Sequence, residues 1–236
     1  MLNQIKYNQI LFLDIETVPS APSYDDLPPL MQKLWDKKSK YLIKSEEETP
    51  ATVYQKAGIY AEFGKIICIS AGFFTDNTFR IKSFYDDNEQ KILNDFNSLL
   101  NKSYNTNDKY LCAHNGKEFD YPYIARRMLV NGIKLPEILN LAGKKPWEIR
   151  HLDTLELWKF GDYKHYTSLE LLTTIFNIPT PKDDIDGSMV AEVYYKEKDL
   201  KRIAVYCEKD VLAVAQLFLK YNNKELIKDE NIISVP

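Results

Sequence analysis

Residues 64–74 read GKIICISAGFF, an almost unbroken apolar run. In a strand, successive side chains point to opposite faces, so this strand carries apolar side chains on both. Such a strand lies at the centre of a sheet covered on both sides. The segments around it supply the cover. TFRIKSFY, 78–85, alternates apolar and polar residues after a turn at Asp76-Asn77 and reads as an antiparallel partner. NEQKILNDFNSLL places Ile92, Leu93, Phe96, Leu99 and Leu100 at helical spacing. KYLCAHN reads as a short strand, and FDYPYIARRMLVNG as a helix with Pro122 in its first turn and Gly132 past its end. IRHLDTLELW reads as a further strand, and helices are expected over 168–176, 187–195 and 199–221. Strands that first meander and then alternate with helices predict a mixed α/β sheet with helices on both faces, in one domain spanning 1–236.

The first strand, about Ile10 to Ile15, poses a chemical question. ILFLDIETVPS sets Asp14 and Glu16 two residues apart, on one side, while Leu13 and Ile15 face the other. Two like charges side by side repel, and core packing does not ask for them. The strand is expected to stop at VPSAPSYDDLPP, whose four prolines bar both helix interior and central strand. In the next segment Leu30, Leu34 and Trp35 stand among Lys and Glu, which suggests an amphipathic surface helix with a solvated basic face. The whole stretch from about 19 to 63 reads as an insertion that covers a cleft, meets a partner or packs at the sheet edge.

Composition narrows the classes. A net charge of -3 argues against a purely electrostatic nucleic-acid binder, though not against an enzyme with a local basic track. Cys68, Cys112 and Cys207 are an odd count in apolar contexts, without zinc-ligand spacing or a secretory leader, and read as reduced thiols of a soluble cytoplasmic protein. No run is long enough to span a membrane. No HxxxH pair and no Gly-rich phosphate loop is present, which sets aside zinc hydrolysis and triphosphate hydrolysis. Lys164 and His165 read first as plain loop surface, with phosphate contact as the other reading.

Three further acids matter. Asp120, in HNGKEFDYPYI, stands near a helix N-terminus, where an anion is favoured. Asp153, in HLDTLELW, sits at a strand end and reads as a cap for the element after it. In the last helix Leu200, Ile203, Cys207, Val211, Val214 and Phe218 form a buried stripe; Tyr206 and Asp210, four apart, border it. If Asp14, Glu16, Asp120 and Asp210 converge, they make a hard oxygen site for two divalent cations, whose charge offsets the repulsion within the first strand.

In that order, FLDIET, HNGKEFDYPYIARR and YCEKDVLAV resemble the three motifs of the DEDD superfamily of 3′–5′ exonucleases. Asn115, then Asp120 and YPYI, is similar to the second motif of the proofreading domain of family-B DNA polymerases, and Tyr206 four before Asp210 marks the tyrosine subclass. EFGKIICISAG, together with DGSMV and IAVYCEKD, is similar to the stand-alone predicted polymerase-B-like exonucleases. The resemblance spans Ile10 to Tyr221, with no polymerase domain in the 15 residues after it. It implies a ribonuclease H-like fold and phosphodiester hydrolysis from a free 3′ end with two Mg²⁺ or Mn²⁺ ions. Asp14, Glu16 and Asp210 would hold the first ion. Asp14 would also touch the second, reached by Asp120 directly or through water. Tyr206 would orient the attacking water. Thr17 would lie near the terminal 3′-hydroxyl, and Asn115 and Phe119 near the last nucleotides, with Phe119 equally readable as core. The expected partner is nucleic acid, DNA before RNA. The alternatives are a 3′ RNA-trimming exonuclease and a catalytically silent nucleic-acid-binding or protein-docking module.

Overall fold

A computed structural model of the chain describes residues 5–76, 78–162, 166–179 and 185–235; Lys164 and His165 lie outside the described residues. Its sheet is built from β1 (Ile10–Pro19), β2 (Gly64–Thr75), β3 (Thr78–Tyr85), β4 (Tyr110–Ala113), β5 (Leu152–Asp153) and β6 (Ile232–Val235), in the order β5-β4-β1-β2-β3-β6. β1–β2 and β2–β3 are antiparallel; β1–β4, β4–β5 and β3–β6 are parallel. The helices are α1 (Pro29–Ser39), α2 (Glu89–Ser103), α3 (Asp120–Val130), α4 (Thr154–Lys159), α5 (Leu169–Ile175), α6 (Val190–Glu192) and α7 (Leu200–Tyr221), with a π-helical turn over Val193–Glu197 before α7. The expected ribonuclease H-like mixed α/β sheet is present, with helices on both faces.

Alternation along β1 sorts the core. Leu11, Leu13 and Ile15 pack with Ile66, Ile69 and Ala71 of β2 against α2 and α3. Ile10 and Phe12 pack on the opposite face with Val211, Val214 and Phe218 of α7. Each of the larger of these side chains, the Leu, Ile, Val and Phe, contributes about 1.5–3 kcal/mol. α7 comes close to the sheet because β2 has glycine at 72, where a Cβ would stand 2.9 Å from a Val211 methyl. A buried ion pair anchors α3: Arg127 Nε and Nη2 donate to Glu89 at 2.8 and 2.6 Å, and Arg127 Nη1 donates to the Ala61 carbonyl.

Several boundaries differ from expectation. β1 runs on to Pro19, because Thr17, Val18 and Pro19 pair with Ile66, Lys65 and Gly64. The strand expected over 149–158 is two residues long, because the Asp153 carboxylate accepts the Leu155 and Glu156 amides and starts α4. In α1 the buried face holds Trp35 and Ser39; Leu30 and Leu34 face solvent. Trp35 is held by its Nε1–H donating to the Pro50 carbonyl at 2.7 Å and by the rings of Tyr54, Tyr60 and Phe63. This aromatic cluster is the small core of the 19–63 insertion. Within the insertion Ala21 N–H donates to the Tyr54 hydroxyl, and the Tyr123 hydroxyl of α3 donates to the Gly58 carbonyl and ties the insertion to that helix. β6 lies outside the expected elements, although Ile232, Ile233 and Val235 are β-branched. No helix of the described residues is long and apolar enough to cross a membrane.

Candidate active site

Asp14 and Glu16 continue the α7-facing side of β1 beyond Ile10 and Phe12. Two apolar clusters flank them there. Ile10 and Phe12 belong to one; Val18, with Ile67 and Cys68 of β2, belongs to the other. The acids occupy the gap between the two. A β-bulge comes directly after them: Glu16 pairs with Cys68, but Thr17 pairs with Ile66. Ile67 is the extra residue, so Ile67 and Cys68 both face α7, which closes the wall beside Glu16.

α7 lies across this gap. Ile203, Cys207, Val211, Val214 and Phe218 are buried, as the stripe predicts, and Tyr206 and Asp210 are half-buried at its border. The Tyr206 hydroxyl hydrogen-bonds the Asp210 carboxylate. The Cys207 thiol donates to Asp14, 3.4 Å from both the backbone carbonyl and Oδ2. Carboxylate oxygens of Asp14 and Glu16 and the Cys207 sulfur all lie within 4.8 Å of one another.

Asp120 is the first residue of α3 and is 2% exposed. The turn before it is tight. Gly116 admits no side chain, since a Cβ would stand 2.5 Å from the Ala113 Cβ. Asn115 adopts the left-handed conformation at φ 62°. Asp153 holds this turn: its carboxylate accepts Asn115 N–H at 2.9 Å and Lys117 N–H at 3.0 Å, besides capping α4. His114 ties in the next loop, with Nδ1 2.9 Å from Thr154 Oγ1 and Nε2 2.9 Å from the Thr167 carbonyl. Tyr166 stands edge-on to His114, within reach of the Asp120 and Asp153 charges.

The electrostatics come from crowding. Burial, then the charges of Glu16, Asp120 and Asp210, push the Asp14 carboxyl well above its ordinary range. Burial, then Asp210, Cys68 and Asp120, do the same to Glu16, and every group acting on it pushes the same way. Asp120 is pushed up to about 8 by burial and the Asp153 and Asp210 charges, against backbone amides that include Ile15. Burial and the neighbouring acids raise the Tyr206 phenol far enough that it keeps its proton at any working pH.

A divalent cation suits this donor set. The oxygens are hard, Glu16 and Asp120 are buried, and Asp120 Oδ1 has no hydrogen-bond partner among the described residues. The structure thus brings Asp14, Glu16, Asp120, Tyr206 and Asp210 into one electrostatic unit. Thr17 hydrogen-bonds the Tyr123 hydroxyl. Phe119 is half-buried against the main core, its ring 5.4 Å from that of Tyr123. Asn115 shapes the turn before α3 through its own backbone, its carbonyl accepting Glu118 and Phe119 N–H. Two contributors go beyond their roles in the sequence pattern. By spacing alone Cys207 is a member of the apolar stripe, and Asp153 a cap for α4. Asp153 takes the N–H groups of Asn115 and Lys117 from 38 and 36 residues away, a partnership for which the sequence around it holds no local signal.

Residues 59–230 match the model of a family described as a predicted 3′–5′ exonuclease related to the exonuclease domain of PolB. That span holds Asp120, Tyr206 and Asp210; β1 lies before it. A DNA polymerase of Pyrococcus glycovorans is 26% identical over 120 residues, covering 45% of this chain. The chain spans 15% of that relative's length.

Proposed function

Since the chain belongs to the family of predicted 3′–5′ exonucleases related to the exonuclease domain of PolB, we propose that it removes nucleotides one at a time from the 3′ end of single-stranded DNA, as a single cytoplasmic domain using two divalent cations. Asp14, Glu16, Asp120 and Asp210 would hold the ions, Mg²⁺ or Mn²⁺. When bound, such ions supply a nucleophile at neutral pH and stabilise charge on the leaving oxygen. The observation that supports this reading is the mutual charge effect of Asp14, Glu16, Asp120 and Asp210, with Asp14 and Glu16 within 4.8 Å of each other and Asp120 Oδ1 without a hydrogen-bond partner among the described residues.

The chain's own groups do the rest. Tyr206 keeps its proton and already donates to Asp210, so it is a fixed donor at the edge of the acid cluster. It positions the attacking water rather than deprotonating it. Thr17, at the Tyr123 hydroxyl, and Phe119, half-buried beside the Tyr123 ring, would receive the terminal sugar and base. Asn115, set by Asp153, contacts the adjoining nucleotide. The similarity to a DNA polymerase favours DNA over RNA. Release of mononucleotides from end-labelled DNA and RNA oligonucleotides of one sequence, with Mn²⁺, tests this. Faster release from DNA is expected. Preference for RNA would make the protein a 3′ RNA-trimming enzyme, and no release from either would make it a silent binding module.

A further inference from the structure

We propose that the carboxylate site has a second, thiophilic binding mode, in which Asp14, Glu16 and the Cys207 sulfur hold a borderline-soft divalent cation such as Zn²⁺ in place of the hard ions that support hydrolysis. The three donor groups lie within 4.8 Å of one another. The Cys207 sulfur is 3.4 Å from Asp14 Oδ2. In tetrahedral zinc coordination, with Zn–S near 2.3 Å and Zn–O near 2.1 Å, a sulfur and an oxygen ligand stand about 3.5 Å apart. The thiol and carboxylate are therefore already spaced as two ligands of one ion, with the thiol proton between them.

A second observation points into the same place. Asp120 is 2% exposed, its Oδ1 lacks a hydrogen-bond partner among the described residues, and its charge acts on both Asp14 and Glu16. Asp120 and Asp210 stand outside the 4.8 Å group, so the fourth ligand is water or one of these carboxylates after its side chain turns in. α7 presents Cys207 and Asp210 three residues apart, on adjoining sides of the helix that faces β1.

Hard and soft ions use this geometry differently. Mg²⁺ and Mn²⁺ take oxygen ligands, so with them the thiol keeps its proton and its hydrogen bond to Asp14. With a thiophilic ion the S–H bond breaks, a sulfur–metal bond forms, and the proton leaves to buffer; no electron is transferred. Thiolate ligands select Zn²⁺ over Mn²⁺, so with Cys207 in the set Zn²⁺ competes from low concentration. It draws Asp14 and Glu16 into a tetrahedral set and halts turnover. Cys207 thus governs which metal the site accepts. Cys68 neighbours Cys207 and lies 3.7 Å from the Ser70 hydroxyl, outside the ligand group.

The inference shares its carboxylates with the proposed exonuclease site, but its test needs no nucleic acid. Co²⁺ is added to chelator-stripped, reduced protein and the near-ultraviolet sulfur-to-cobalt charge-transfer band is recorded. The band is expected in wild type and Cys68→Ala, and absent from Cys207→Ser and Cys207→Ala. Zn²⁺ inhibition of each protein's own Mn²⁺-supported rate is the second arm. Loss of the sulfur should raise the half-inhibitory Zn²⁺ concentration by at least 10–100-fold, roughly the cost of losing even an outer-shell partner. Absence of the band in wild type, or its survival without Cys207, overturns the proposal, even if one variant fails to fold. A cobalt band in a protein that degrades no nucleic acid would sink the exonuclease reading and leave this one standing; turnover without the band would do the reverse.

Discussion

The Asp153 carboxylate accepts the backbone N–H of Asn115 at 2.9 Å across 38 residues of chain. With Lys117, Leu155 and Glu156 it takes four backbone donors in all, and so couples the turn that launches Asp120 to the start of α4. Asp153→Ala strands these donors. Each buried donor left without a partner costs about 1–3 kcal/mol, so a total of about 3 kcal/mol or more is expected by urea denaturation. Activity should fall too, by less than for Asp14→Ala, since Asp153 sets a turn rather than a ligand. A variant as stable as wild type would remove Asp153 from this role.

Tyr206→Phe keeps the ring and deletes the donor to Asp210. Groups that position or transfer a proton contribute on the order of 10²–10⁴ in rate. The expected loss lies at or below the low end, with the Mn²⁺-induced rise in melting temperature intact. An equal loss of metal affinity would make Tyr206 a structural prop.

Stability of the metal-free protein should fall with rising pH. Asp120 titrates near 8 in the folded protein against an ordinary 3.8. Between those values the folded state keeps a proton that the unfolded state has released. Its stabilisation is therefore complete below the unfolded value and is lost as pH rises through about 8. His151 acts oppositely and at lower pH: burial holds its pKa down to about 4, so it destabilises only below about 6.5. In chelator, stability should thus fall between pH 6.5 and 8 by at most about 1.4 kcal/mol per pH unit for each proton, and the melting temperature with it. Asp120→Asn should flatten the drop, and saturating Mn²⁺, which takes the ionised carboxylates, should reverse it. The same slope in Asp120→Asn would place the titrating group elsewhere.

Neutralising one acid should relieve the crowding. Asp14→Asn should melt higher than wild type in chelator, gain less from Mn²⁺, and fail to cleave. A lower melting temperature in chelator would remove the strain from the account. An equal Mn²⁺ shift in both proteins would mean that Asp14 is no ligand.

Much of this is legible in the sequence alone. The two-residue spacing of Asp14 and Glu16 on a strand, and the four-residue spacing of Tyr206 and Asp210 beside an apolar stripe, are local periodicities that the fold preserves. Features that depend on distant partners are not. Helical spacing alone does not tell whether Leu30 and Leu34 or Trp35 face inward; Tyr54 and Phe63, about twenty residues and more away, decide it. β6 forms because the edge of β3 is open to it, and the β-branched residues of Ile232–Val235 do not name that partner. The Glu16–Thr17 bulge, and the thiol of Cys207 against Asp14, arise from register and helix placement.

The most direct measurement tracks single-stranded DNA with Mn²⁺: 5′-labelled strands with a free 3′-hydroxyl or a 3′-phosphate, and an internally labelled closed circle. The account predicts a ladder shortening stepwise from the free 3′ end, little or none from the 3′-phosphate, an intact circle, and no turnover by Asp14→Ala or Asp210→Ala. Cutting of the circle, or near-wild-type activity in Asp14→Ala, would contradict it.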